Sequence, residues 1–197
     1  PATAFDRFLA GRQEALSDKE LQGLHLFRTQ ARCMNCHNGP LLTDHGFHHI
    51  GLSFYGRRNQ DLGRFEATRE KADLGTFRTP SLRGVSRTAP YMHNGIMPRL
   101  DGVVTFYNAG AARPRPRPEQ ANDPLFPTTD PLLRPLALTR EERAALVAFL
   151  ETSLDSARAL HRRCARSGRQ RVVAERRGTL RQQLYRVALG RRFHAVD

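Results

Sequence analysis

Residues 33–40 read CMNCHNGP: two cysteines two residues apart, with a histidine directly after the second. In this order each sulfur can add to a haem vinyl group as a thioether, and the adjacent imidazole falls beneath the iron as its proximal ligand. Cys33 and Cys36 are therefore candidate attachment residues, and His37 is the candidate proximal ligand. Two other chemistries use a Cys-x-x-Cys pair. A zinc knuckle needs a second ligand pair, and the chain has no second Cys-x-x-Cys. His45, His48 and His49 are near, but their spacings differ from those of four-coordinate Cys₂His₂ sites. A redox dithiol wants a βαβ context, which the hydrophobic pattern does not supply. A haem held this way has a second axial position that is filled or open. Met92 and Met97 are the sulfur candidates, and Tyr107, 70 residues after His37, is the phenol. Tyr107 also reads as a core aromatic on an apolar stripe, and Met92 as packing.

The elements that must position these residues are mostly helical in pattern. Ser17 and Glu20 form a capping-box pair, and Leu21, Leu24 and Phe27 then share one face, so a helix of about three turns runs up to Cys33. Residues 1–16 read as a lead-in. From Asn38 to Pro90 the helical period fades and glycines recur, as expected of a long irregular segment wrapped on a cofactor. Residues 99–108 return to helix, with Leu100, Val103, Val104 and Tyr107 at i, i+3, i+4, i+7 and Asn108 and Gly110 closing it. Residues 111–135 are proline-rich extended loop. Thr139 and Glu142 form another capping box, and Ala145, Leu146, Phe149 and Leu150 supply the buried face of a terminal helix. No strand alternation persists, so the expected fold class is all-α: a cytochrome c-like haem domain with long irregular loops and a basic C-terminal extension.

Of the 197 residues, 39% are hydrophobic, and the formal net charge is +13. Residues 152–197 hold 12 arginines against Asp155, Glu175 and Asp197, so most of that charge sits in the tail and the body is only mildly basic. This distribution argues against a nucleic-acid surface on the body. No apolar run approaches the ~20 residues of a membrane helix. The expected organisation is a cytochrome domain over 1–154 and an Arg-rich tail over 155–197, read as a non-native or disordered extension. A basic arm for an acidic partner and a membrane-surface helix are its alternatives. Cys164 in that tail is an odd thiol beside the Cys33–Cys36 pair, which excludes an even disulfide framework. The chain opens without methionine, which reads as a processed or truncated start.

Several segments in order carry a resemblance: AFDRFLAG (4–11), CMNCHNGP, FRTPSLRGVSRTAPYMHNG (77–95), LDGVVTFYNAG (100–110) and LALTREERAALVAFL (136–150). Together they resemble the C-terminal haem domain of bacterial di-haem cytochrome c peroxidases and their MauG-like relatives, over about residues 4–151. The resemblance implies an all-helical, periplasmic, hydrogen peroxide-dependent oxidoreductase with two cytochrome c-like domains. The N-terminal haem meets peroxide, and the C-terminal haem stores or relays oxidising equivalents. On this chain Cys33, Cys36 and His37 would serve one haem c. Tyr107 stands where the peroxidase branch has a methionine, as in MauG-like members whose tyrosine binds iron. A hard phenolate favours ferric iron, whereas a thioether such as that of Met92 raises the potential. The resemblance also implies an interdomain calcium held in part by the carbonyls of Thr88 and Pro90. Arg83 and His93 would be propionate or domain-contact residues, with a solvated arginine and a turn histidine as the plain alternatives. The implied partners are an N-terminal peroxidatic haem domain, upstream or separate, and an electron-donor protein or protein substrate. A mono-haem electron carrier and a basic binding module acting through the tail are the competing functions.

Overall fold

The computed structural model describes residues 2–155. The expectations placed on the tail after Asp155, including Cys164, lie outside the described residues. In chain order the elements are α1 (Ala4–Leu9), α2 (Asp18–Arg28), β1 (Phe47–His48), α3 (Phe65–Thr68), β2 (Phe77–Arg78), α4 (Leu100–Asn108) and α5 (Arg140–Ala148), joined by short 3₁₀ turns. The chain divides into two compact units. The first takes residues up to Met34, Leu82–Val104 and Leu138 onward; the second takes Asn35–Ser81 and Thr105–Ala137.

The first unit is helical because its sequence carries start signals and apolar stripes. Ser17 Oγ accepts from the Glu20 N–H while Glu20 reaches back to the Ser17 N–H at 2.7 Å, and Thr139 and Glu142 repeat the arrangement at α5. A third box, Thr3 with Asp6, starts α1 within the stretch read as a lead-in. Helices α2 and α5 pack face to face. Phe8, Phe27, Phe149, Leu16, Leu21, Leu24, Leu146 and Leu154 are fully buried. Phe149 is the hub, with the rings of Phe5 and Phe27 edge-on at 5.6 and 5.5 Å. After α5 the chain widens into a π turn over Phe149–Ser153.

Gly23 sets the α2–α5 approach. A Cβ there would stand 2.1 Å from the Ala145 carbonyl oxygen and 2.8 Å from the Phe149 Cβ. Gly23→Ala therefore forces the helices apart. The strain of overpacking, ~1–3 kcal/mol or more, exceeds the gain in helix propensity. Chemical denaturation will show a lower midpoint for Gly23→Ala, whereas a Gly102→Ala control, where a Cβ meets nothing within 4 Å, will not lose stability.

The second unit overturns the all-α expectation. Strands β1 and β2 pair antiparallel, with Phe47 opposite Arg78 and His48 opposite Phe77, and Gly63 bridges Thr76 in parallel. The physical reason is backbone satisfaction. Residues 38–90 lack a helical period, yet their N–H and C=O groups still need partners, and a short ladder supplies them where the two stretches run side by side. The proline-rich return joins the same unit: the Ala112 N–H donates to Ile50 O at 3.3 Å, the Asp130 N–H to His49 O at 2.9 Å and the Leu136 N–H to Asn108 O at 3.1 Å. Gly51, at φ +85°, permits this closure, because a Cβ there would lie 2.0 Å from the Ala112 oxygen. The interior of this unit is poor in apolar groups. Leu42, Leu52, Leu74 and Leu136 are buried, but so are Thr43, His49, Ser53, Thr76, Thr79 and Thr129.

Candidate haem-attachment site

Helix α2 ends at Arg28, and after a short turn Cys33–Asn35 form one 3₁₀ turn. Cys33 and Cys36 are both free and half-buried, not joined to each other. Burial, with Asp44 and Asp130 adding to it, pushes the Cys36 thiol up to about 11. A reactive dithiol needs the opposite shift, so the redox-dithiol reading has no support in this environment. The Cys33 sulfur faces its own chain, with the Ala31 carbonyl at 3.6 Å.

His37 is held for ligation from behind. Its Nδ1 lies 3.2 Å from the Leu42 carbonyl oxygen. A carbonyl only accepts, so Nδ1 carries the proton and donates it. Burial lowers the His37 pKa, partly offset by the hydrogen bond to Leu42, the Asp44 charge and the Pro80 backbone. The lowered pKa favours the neutral ring, and the Leu42 contact places its proton on Nδ1, the tautomer that leaves Nε2 as the nitrogen for a metal. The loop that supplies Leu42 is pinned by the Thr43 N–H to Asn38 O, 2.8 Å, and by Thr43 Oγ1 to Thr79 O, 2.8 Å. Two thiols not joined in a disulfide, at the attachment spacing, and an oriented histidine directly after them fit a covalently held haem.

The other predicted residues are distributed as follows. Tyr107 is half-buried on the last turn of α4, in the same unit as His37, with its ring edge-on to Phe106 at 5.3 Å. Helix α4 closes where expected: the Gly110 N–H bonds Tyr107 O and the Ala111 N–H bonds Phe106 O. Met92 belongs to the other unit and sits at φ +68° in a turn closed by the Tyr91–Met97 bridge, and His93 beside it is exposed. Thr88 and Pro90 are exposed. Among the described residues the one grouping of three or more His, Cys, Asp or Glu side chains able to hold a metal is Cys36, Asp44 and His48, away from Thr88 and Pro90 in the chain.

Arg83 is engaged within its own unit. Its Nη1 lies 2.6 Å from Asp6 Oδ1 and 3.4 Å from Thr3 Oγ1, and its guanidinium stands 5.8 Å from the Phe5 ring centre. Burial raises the Asp6 pKa, but hydrogen bonds from Thr3 and Arg83 outweigh it, and the net value falls below the ordinary carboxylate range. A depressed carboxylate stabilises the fold above its unfolded pKa and loses that contribution as pH falls through the folded pKa. Asp6→Asn will thus be less stable than wild type at neutral pH, and the difference will close as pH falls through and below the ordinary carboxylate range; thermal unfolding across an acid series measures it.

Sequence reasoning missed the network beside the motif. His48 Nδ1 contacts Asp130 Oδ2 at 2.7 Å and its Nε2 contacts Asp44 Oδ2 at 2.9 Å. Burial lowers the His48 pKa, but the two carboxylates raise it further, for a net rise. The Asp44 N–H donates to Cys36 O at 2.7 Å. Nothing in the sequence links Asp130 to His48, 82 residues away. The segment SLRGVSR has a structural task as well: the Gly84 N–H bonds Leu154 O, Ser86 Oγ bonds Asp155, and Arg87 Nε pairs with the buried Asp155 at 3.3 Å.

These features define the class: a small helical unit, a loop-rich unit and one Cys-x-x-Cys-His motif on the segment where the chain passes from the first to the second, an architecture shared with di-haem peroxidases. A solved MauG-like protein associated with microbial copper homeostasis superposes with a TM-score of 0.64 at 31% identity, covering 78% of this chain and 51% of that one. The di-haem peroxidase BthA from Burkholderia thailandensis E264 does so with a TM-score of 0.61 at 28% identity, covering 80% and 47%. By sequence the chain is 37% identical to cytochrome-c peroxidase IdrP1 of Denitromonas iodatirespirans, over 75% of this chain and 43% of that protein. It is 35% identical to the methylamine utilization protein MauG of Methylorubrum extorquens, over 75% and 38%. No family model matches the chain. The chain belongs to the family of di-haem cytochrome c peroxidases and MauG-like proteins, and it spans less than half the length of these curated relatives.

Proposed function

We propose that this chain is the C-terminal, haem c-bearing electron-transfer half of a periplasmic, hydrogen peroxide-dependent di-haem oxidoreductase. The observation that carries the reading is the oriented neutral His37 next to two free thiols at the attachment spacing. When bound, the haem would supply one-electron redox chemistry. Cys33 and Cys36 would fix its edge, His37 Nε2 would take the proximal position, and Tyr107 would take the distal one. The Leu42 carbonyl keeps the His37 proton on Nδ1 and so makes the ring a stronger donor. A phenolate from Tyr107 would favour the oxidised metal and suit a centre that holds oxidising equivalents.

A peroxide-reacting haem domain, upstream or on a separate chain, would be the partner, with an electron-donor protein or protein substrate as the other. Calcium at Thr88 and Pro90 would need further oxygen donors from that partner. Periplasmic placement follows from where c-type haem is attached in such proteins; among the described residues no helix is long and apolar enough to cross a membrane.

Tyr107→Phe tests the distal assignment. The variant keeps the ring packing and removes the oxygen, so covalent haem by mass will be unchanged while the absorption and paramagnetic resonance spectra shift and the reduction potential rises. Met92→Leu will leave all three unchanged. A Tyr107→Phe spectrum identical to wild type would remove tyrosine from the iron. Peroxide consumption measured with and without the partner domain separates a di-haem enzyme half from a lone electron carrier.

A further inference from the structure

The Cys36 sulfur, an Asp44 carboxylate oxygen and a His48 ring nitrogen lie within 4.8 Å of one another. All three belong to one unit. The backbone tie from the Asp44 N–H to Cys36 O, 2.7 Å, fixes two of them in one frame. The third is fixed by strand β1, which carries His48. Asp130 supplies an independent sign of a ligand site. Its Oδ2 stands 2.7 Å from His48 Nδ1, while His48 Nε2 faces Asp44 Oδ2 at 2.9 Å. A histidine whose Nδ1 is held by a carboxylate while Nε2 faces other donors has the arrangement that orients metal-ligating histidines.

We propose that the haem-free chain binds one zinc-class divalent cation through Cys36, Asp44 and His48, oriented by Asp130, and that this binding and haem attachment exclude each other. The donor set selects the ion. A thiolate and an imidazole with one carboxylate suit zinc, whereas calcium and magnesium prefer all-oxygen shells. Two anionic donors and one neutral donor neutralise a dication, and water completes a four-coordinate shell. Tetrahedral zinc with bonds of about 2.0–2.3 Å holds its ligand atoms roughly 3.3–3.6 Å apart. The Asp44–His48 pair must therefore open by a few tenths of an ångström, and the sulfur must close by up to about one. Binding releases two protons to solvent, one from the Cys36 thiol and one from His48 Nε2, and replaces the hydrogen bond between His48 Nε2 and Asp44 with two metal bonds, while Nδ1 keeps its proton towards Asp130. A thioether to haem consumes the same sulfur as an anionic donor, hence the exclusion. Only that exclusion rests on the haem reading above.

The test is a zinc chloride titration of the full chain, produced without haem attachment and kept reduced, followed by native mass spectrometry and competition with a chromophoric chelator. One zinc per chain is expected. Asp44→Asn and His48→Gln should each weaken binding by about 10–100-fold, and Asp130→Asn by about 10-fold. Cys33→Ser and Cys164→Ser should bind as wild type. Cadmium in place of zinc should give a thiolate charge-transfer band that vanishes in Cys36→Ser but survives in Cys33→Ser, which reads the sulfur directly even if a variant is poorly folded. No binding, or binding lost in Cys33→Ser or Cys164→Ser but indifferent to Asp44→Asn and His48→Gln, overturns the site. Equal zinc affinity in the haem-loaded chain overturns the exclusion. A chain that never acquires haem under maturation conditions yet binds zinc through these residues counts against the haem reading alone.

Discussion

Cys33→Ala/Cys36→Ala will carry no covalent haem, whereas the wild-type chain matured in a host that attaches c-type haem will gain the mass of one. The argument is geometric and chemical. Each thioether needs a free sulfur on the same edge of the macrocycle, and Cys33 and Cys36 are the free pair, both half-buried, on one 3₁₀ turn and the residue after it. Neither alanine can form the bond, and Cys164 lies far along the chain from the motif. Either single variant keeps one possible thioether and will show reduced but measurable incorporation. The double variant should also loosen the second unit. Its buried set mixes four leucines with Thr43, His49, Ser53, Thr76, Thr79 and Thr129, too little apolar area to hold long loops against their conformational entropy without a further apolar body. Hydrogen exchange will therefore accelerate across residues 35–81 and 105–137 in the double variant, while α2 and α5 keep their protection. Intact mass with one haem still bound to Cys33→Ala/Cys36→Ala would refute the attachment assignment outright.

Phe149→Ala will be the most damaging single truncation in the helical unit, costing about 3–5 kcal/mol, the range for burying a cavity in place of an aromatic core residue. Phe149 has no exposure, and its ring receives Phe5 from α1 and Phe27 from α2 edge-on at 5.6 and 5.5 Å. Such aromatic pairs add about 0.5–1.5 kcal/mol beyond area burial. The position also lies where α5 passes into its π turn, so truncation removes packing at the point where the last segment docks. Urea unfolding of haem-loaded wild type and variant measures the difference. A loss under about 1 kcal/mol would mean that Phe5 and Phe27 collapse into the space, contrary to the tight packing that Gly23 implies. Phe149→Leu, which refills most of the volume, should recover more than half of the loss.

Different parts of this protein were legible to different degrees, for physical reasons. Helices α2, α4 and α5 could be read because their instructions are local: Ser17 with Glu20, Thr139 with Glu142, and Leu100 with Val104 on one face act over three or four residues. The attachment motif is more local still, since its chemistry depends on a spacing within five residues. Helix α1 is not legible in the sequence although Thr3 and Asp6 form the same capping box, because six residues are under two turns and too short to show a period. The strands are not legible in the sequence because two residues cannot display alternation; Phe47 is set opposite Arg78, and His48 opposite Phe77, by the path of the loops between them.

The sequence by itself determined the covalent possibilities, namely which sulfurs, which imidazole and which phenol this chain can offer, together with the helices whose caps and stripes are written over short stretches. Only the tertiary structure decided which way those groups face and what stands behind them. The Leu42 carbonyl sets the tautomer of His37, Asp130 reaches His48 across 82 residues, and Asp155 is buried between Ser86 and Arg87. Hydrogen bonds and ion pairs depend on distance in space, not on separation along the chain, so no spacing rule encodes them.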